Sequence, residues 1–385
     1  MDHQKDFFSI PDHITYLNGA YMSPSLKTVE EAGIRGLKRK SLPFEITDID
    51  FFKERTLLKQ AFAKLIHADD HEFTAIIPSV SYGIANAANN IDFKEGDEIL
   101  VVQEQFPSNI YNWQHIAEEK KLTIKTVNPP ETFQDRGRLW NRYLLEAIGP
   151  KTKVVTLPQV HWADGTVFDL KAIRKKSREF DALLIIDGTQ SVGAFPFSIK
   201  EIDPDALVCG GYKWLLGPYS LGMAYYGSYF HNGNPIEHNW MNRKDSEDFS
   251  RLVNYNDEYQ PKAGRFSVGE SSNFALTPML IKAIEQLIEW KPENIQEYGR
   301  SISGEAVAAL RELGCFIEED NSRAHHLFGV FPPEGLDINK LKAAFKEENI
   351  FVSYRGDAIR ISLHLYNTAE DLNKLVRILK NTLGS

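Results

Sequence analysis

The chain has 385 residues, two cysteines and a formal net charge of −9. That charge argues against a nucleic-acid-binding surface, and two cysteines give no disulfide framework, which suits a reducing cytoplasm. No run of about 18 apolar residues promises a membrane span, the opening MDHQKDFFSIPDHITYL has no signal-peptide pattern, and 42% apolar with 25% charged residues is the balance of a globular protein with a large core.

Residues 1–15 read as an arm. Tyr16-Leu17-Asn18-Gly19-Ala20 predicts a short strand and a turn, ahead of a helix from about Ser25. Apolar residues at three- and four-residue spacing predict a helix over 49–66. A strand over 74–77 runs through Pro78-Ser79-Val80-Ser81 into another helix. Strand, small polar turn and helix N-terminus together attract a phosphate, through free backbone N–H groups and the helix dipole. Ser79 as a plain N-cap explains the same residues. Strands are expected over 98–102 and 153–157. The first leads to Phe106 and a helix carrying Trp113, the second to a loop holding His161, Trp162 and Gly165. His161, at a strand end, reads as a structural histidine rather than an acid–base group.

A helix over 169–180 precedes two apolar runs, 183–186 and 206–209, with the composition of buried parallel strands. Asp187 ends the first and Lys213 follows the second. Both are therefore expected on the carboxyl edge of one sheet, where open α/β sheets bind ligands. A carboxylate and an amine on one edge suit pyridoxal phosphate (PLP): the amine holds the aldehyde and the carboxylate keeps the ring nitrogen protonated. From these two residues alone, an ordinary salt bridge remains the plainer account. Cys209 reads as a small buried apolar residue. A strand over 222–226 is followed by a polar and aromatic surface excursion, 228–264, without periodic pattern. Helices over 277–290 and 294–313, strands over 315–319 and 326–331, a helix over 338–348, strands over 351–354 and 359–362 and a closing helix over 368–383 predict a small α/β lobe. Thr368 and Asp371 predict a capping box.

Asp187-x-x-Gln190, Tyr212-Lys213 and Gly217-Pro218 resemble the core of the class V aminotransferase family of fold-type-I PLP enzymes. That group includes cysteine desulfurases, kynureninase and isopenicillin N epimerase-like proteins. The resemblance runs from about Tyr16 to Asp371. It implies an α/β fold-type-I architecture: a large PLP-binding domain over 17–264, with a mostly parallel sheet between helices, and a small domain of 1–16 and 265–385 that includes the arm. It implies Lys213 as the cofactor lysine and proton shuttle, Asp187 at the ring nitrogen and Phe106 stacked on the ring. Ser79, Val80, Ser81 and Tyr212 fall to the phosphate, and Gln190 to the phenolic oxygen. The family has an Asn where Trp162 stands, so Gln190 alone, or the Trp162 indole N–H, is left for that contact. Gly269-Glu270-Ser271 resembles a segment that reaches the phosphate bound by the partner subunit of a homodimer. Glu270 replaces a Thr there and is expected to point away, with Ser271 in its stead. The resemblance also implies that Arg360 binds the substrate carboxylate, for which a planar guanidinium fork is suited, with Asn18, Gly19 and Ala20 beside the substrate.

The implied function is that of a cytoplasmic, homodimeric PLP enzyme acting on an amino acid or related amine. An aminotransferase comes first. A lyase, a kynureninase-like hydrolase or an epimerase is the alternative, and a PLP-binding module without catalysis stands behind these. Desulfurases present a nucleophilic cysteine on a loop just before the carboxylate-binding Arg. Here Tyr354-Arg355-Gly356-Asp357 leads straight into the strand, so persulfide chemistry is not expected.

Overall fold

The computed structural model describes residues 1–383. In chain order the strands are β1 (Thr15–Tyr16), β2 (Thr74–Ile77), β3 (Glu98–Val102), β4 (Thr123–Val127), β5 (Thr152–Pro158), β6 (Leu183–Asp187), β7 (Ala206–Gly210), β8 (Gly222–Tyr226), β9 (Leu327–Val330), β10 (Ile350–Phe351), β11 (Ser353–Arg355) and β12 (Ala358–Ser362). Seven of them form one sheet in the order β2-β8-β7-β6-β5-β3-β4. Neighbours from β4 to β7 run parallel, and β8 is antiparallel to both β7 and β2. The connections explain the directions. Parallel neighbours need a crossover, supplied here by helices over Tyr111–Lys120, Arg136–Ala147, Leu170–Arg178 and Ile199–Ile202. Between β7 and β8 there is no helix, so the chain turns back at the same edge, and Lys213 lies in that return.

Strand alternation sorts the core by face. Leu100, Leu184, Ile186 and Leu207 join one apolar cluster, which also takes in Leu280, Ile284 and Leu287 of the helix Leu276–Trp290. Ile99, Leu183, Ile185 and Val208 join another, with Ile84 and Trp113. A third cluster, around Ala306, Leu310, Phe328, Ile361 and Leu375, fills the lobe built on the antiparallel sheet β11-β12-β9. The helix Leu276–Trp290 belongs to the large core, because its apolar stripe faces the big sheet, and the small lobe's core begins within the following helix, Pro292–Glu312.

Two further expectations meet different outcomes. The stretch 315–319 does not form a strand. Only Phe316 pairs, exchanging backbone bonds of 2.8 and 2.9 Å with Phe331. The capping box is present: Thr368 N–H donates to the Asp371 carboxylate at 2.9 Å and Asp371 N–H to the Thr368 hydroxyl at 3.4 Å. At the outer edge of β2, Ile76 N–H donates to the Ser267 hydroxyl at 3.1 Å and the Ile76 carbonyl accepts from Val268 N–H at 2.9 Å. Among the described residues no helix is long and apolar enough to cross a membrane.

Candidate active site

Asp187 is in register with Pro158 on one side and Val208 on the other, and Gly222 with Ile77 and Gly210. The ends of β2, β5, β6 and β7 therefore meet at one edge of the sheet. The loops leaving that edge enclose a cavity of about 320 Å³. Asp187 and Lys213 both line it and are only 6% and 5% exposed. Ser79 and Val80 enter from the start of the helix Val80–Ala88, and Phe106, Trp162, Gln190 and Tyr212 complete the expected part of the lining.

Burial raises the Asp187 carboxyl above the usual carboxylate range, although Thr189 opposes this with hydrogen bonds from its hydroxyl and its backbone N–H, the latter at 3.0 Å. The Thr189 oxygen also accepts from Gly210 N–H at 3.1 Å, which locks the turn after β6 to the end of β7. Burial, then the positive charge of Arg360, bring the Lys213 amine down to about 8, with Asp187 pulling the other way. Its Nζ lies 4.9 Å from the centre of the Phe106 ring and 5.5 Å from that of Tyr212. Burial also raises the Tyr212 phenol, which keeps it a neutral donor.

Sequence reasoning missed Thr189 and Gln105. A hydroxyl residue two positions past a strand-end Asp is the pattern of an Asx turn, and that signal was available. Gln105 lines the cavity with its Nε2 buried and unpartnered. Nothing in its sequence context marks it.

Several polar groups of the lining are already engaged, and Ser81 stands outside it. The Ser79 hydroxyl caps its helix, accepting from Tyr82 N–H at 3.2 Å, and Ser81 lies behind it with its hydroxyl 3.0 Å away. The Trp162 indole N–H donates to the Glu104 carbonyl at 2.5 Å. That donor is consumed, so of the two contacts open for a cofactor oxygen the one from Gln190 is left; the Trp162 ring meets Phe106 edge-on, with centroids 5.3 Å apart. Gln190 gives its Nε2 to the Ala20 carbonyl at 3.2 Å and accepts from the Trp214 indole at 2.8 Å, so one amide hydrogen is left. His161 is structural as expected: its two ring nitrogens meet Asp164 at 3.1 Å and the Gln103 carbonyl at 3.2 Å.

Asn18, Gly19 and Ala20 lie outside the cavity lining. They fasten the N-terminal segment to the small sheet, through the Ser353 hydroxyl at 2.6 Å, the Ser362 carbonyl at 3.4 Å and the Ser362 hydroxyl at 3.0 Å respectively. Arg360, 1% exposed, donates from Nη1 to the Trp162 carbonyl at 2.8 Å, while Nε and Nη2 are buried without a partner. Gly165, in the same loop as Trp162, passes so close to β9 that a Cβ would stand 2.1 Å from the Leu327 carbonyl oxygen. Gly269 and Ser271 do not join the cavity within one chain. Gly269 N–H donates to Glu237 at 3.0 Å, and the Ser271 hydroxyl is buried and unpartnered.

Residues 50–375 match the family described as aminotransferase class-V. The chain belongs to this class V aminotransferase family. It is a PLP-dependent enzyme of fold type I that acts on an amino acid or related amine. It is 25% identical over 326 residues to the uncharacterized aminotransferase YcbU of Bacillus subtilis, covering 83% of this chain and 81% of that one. It is 22% identical over 401 aligned residues to a probable cysteine desulfurase of Borreliella burgdorferi, covering 97% and 89%. Among solved structures, a C-DES mutant with glycine covalently linked to the PLP cofactor superposes with a TM-score of 0.87 at 20% identity, over 98% of this chain and 99% of that one. The apo cysteine desulfurase of Thermococcus onnurineus gives 0.83 at 18% identity, over 100% and 99%. The two structures speak to the fold alone.

The cavity suits the cofactor. Asp187 is a buried carboxylate with no salt bridge among the described residues, as a partner for a pyridinium nitrogen should be. Lys213 offers a buried amine of lowered basicity, and Gln105 an orphaned donor. The start of a nine-residue helix borders the cavity, and free N–H groups at a helix start suit a phosphate.

Proposed function

We propose that the protein is an aminotransferase in which Lys213 holds PLP and then carries the proton at the substrate Cα. One observation carries this reading: Asp187, at the end of β6, and Lys213, just past the end of the neighbouring parallel β7, are both buried and line the same cavity. When bound, PLP supplies an electron sink for the bonds at Cα of an attached amine. Asp187 holds its negative charge against the ring nitrogen. Phe106 covers a ring face, a contact that adds on the order of 1 kcal/mol beyond burial. Ser79 and Val80 offer helix N-terminal N–H groups to the phosphate, Tyr212 adds its hydroxyl, and Ser81 steadies Ser79. Gln190 has one amide hydrogen left for the phenolic oxygen. Arg360 takes the substrate carboxylate on its free Nε and Nη2, and Asn18, Gly19 and Ala20 hold the small sheet that presents it.

We further read the enzyme as a cytoplasmic homodimer in which Gly269 and Ser271 meet the partner subunit's site. The unpartnered Ser271 hydroxyl and the two unpaired, buried cysteines support that reading. Relatives named as desulfurases suggest sulfur chemistry, but the turn between β11 and β12 has no cysteine and Cys209 lies inside the sheet.

Absorbance of the loaded protein tests the proposal. A visible band should appear, and borohydride should fix the cofactor on the Lys213 peptide. Amino donors should convert the cofactor to its amine form, and a keto acid should reverse this. Release of ammonia with the keto acid would mark a lyase, and solvent exchange at Cα with no keto product an epimerase. Label on any other residue would overturn the assignment.

A further inference from the structure

We propose that Arg355 and Arg360 together form a receptor for two anionic groups, so that the preferred substrate is an amino acid whose side chain ends in a carboxylate. This rests on the reading of Lys213 and Arg360 above and adds Arg355 to it. The hairpin register places the two arginines on one face. Ser353 on β11 is opposite Arg360 on β12, and Arg355 is two residues beyond Ser353. Side chains two apart share a face, so Arg355 and Arg360 are diagonal neighbours across the hairpin. Both guanidiniums approach the same indole, their central carbons 5.3 and 5.9 Å from the centre of the Trp162 ring. That ring lines the cavity.

Neither guanidinium is neutralised. Arg355 donates only to the carbonyl of its neighbour Tyr354, at 2.7 Å, and Arg360 to that of Trp162. No carboxylate forms a salt bridge with either among the described residues, and exposed Asp357 at the hairpin tip reaches neither. Two like charges placed diagonally repel one another. Both also act on the Lys213 amine, where only Asp187 opposes them. An amino acid with one carboxylate would satisfy Arg360 and leave Arg355 in excess. A second carboxylate at the end of the side chain would match the remaining charge, and guanidinium–carboxylate pairing is the strong form of hydrogen bond.

The test uses the full-length, cofactor-loaded enzyme and four probes: L-glutamate, L-glutamine, L-aspartate and L-asparagine. The concentration giving half of the spectral change is read for each. At least one acid should act at a concentration about tenfold or more below that of its own amide, the scale of one charged hydrogen-bonded pair. The acid-to-amide preference should fall to near unity in Arg355→Gln and recover in part in Arg355→Lys. Should Arg355→Gln fail to fold, the wild-type preference must still shrink as salt is raised. Equal potency of acids and amides in the wild type, a preference that survives Arg355→Gln, or one insensitive to salt would overturn the inference. A protein with no visible band, or with its label away from Lys213, would instead overturn the underlying assignment.

Discussion

Arg360 on β12 donates to the carbonyl of Trp162, 2.8 Å away, and so joins the three-stranded sheet to the loop that leaves β5. The bond spends Nη1 and leaves the guanidinium oriented but unsaturated.

Arg360→Gln should raise the amino-acid concentration needed for half of the spectral change by about 10- to 100-fold, the worth of charge-assisted bonds to a carboxylate. The visible band itself should survive. Titration of the loaded variant checks this. An unchanged concentration dependence would remove Arg360 from substrate binding.

Lys213 gives a pH signature. Its amine is lowered from 10.5 to about 8, first by burial and then by Arg360. The neutral amine attacks an aldehyde, so cofactor loading should quicken as pH rises through about 8 and then level off. The unfolded chain holds this proton up to its ordinary value while the folded chain has released it. Lys213 therefore adds stability to the apoprotein as pH rises from about 8 towards 10.5, and the contribution falls away below. Stopped-flow absorbance against pH reads the midpoint, which should move upward in Arg360→Gln because a repelling charge has gone.

The thiols should be inert. Burial, with the charge of Asp187, pushes the Cys209 thiol well above its ordinary value, and burial alone pushes Cys315 up to about 11. Thiolate is the reactive form. Under native conditions at neutral pH a disulfide reagent should consume far less than one thiol per chain, and both only on unfolding. Rapid native labelling of either would reopen a role for cysteine.

Gly165→Ala should destabilise the protein. The residue has φ +79°, and the added methyl would strike the Leu327 carbonyl. Backbone strain together with a clash of this kind costs about 1–3 kcal/mol or more. The same change should weaken substrate binding, since Trp162 and Arg360 meet across this loop. Denaturant unfolding followed by a substrate titration separates the two effects.

The sheet and its acid–base pair were legible because buried strands are short apolar runs whose ends fall where the pattern stops: β2, β3 and β8 have the bounds read from sequence. The strand β4 carries no such pattern. At the sheet's edge only its Val127 is buried, and Thr123, Lys125 and Thr126 mask the pattern. The stretch 315–319 has the pattern of a strand because Cys315, Phe316 and Ile317 are apolar, yet two of them serve a core without a ladder. Within the site, Asp187 and Lys213 declare themselves by type and position. The fate of the Trp162 indole does not, since the Glu104 carbonyl that takes it belongs to a loop 58 residues away.

The covering of β2 at Ile76 says where the molecule is closed to growth. Ser267 and Val268 occupy the outward-facing donor and acceptor that an incoming strand would need there. A second copy cannot zip onto that rim as an eighth strand, so any pairing of subunits on that side has to be made by helices and loops.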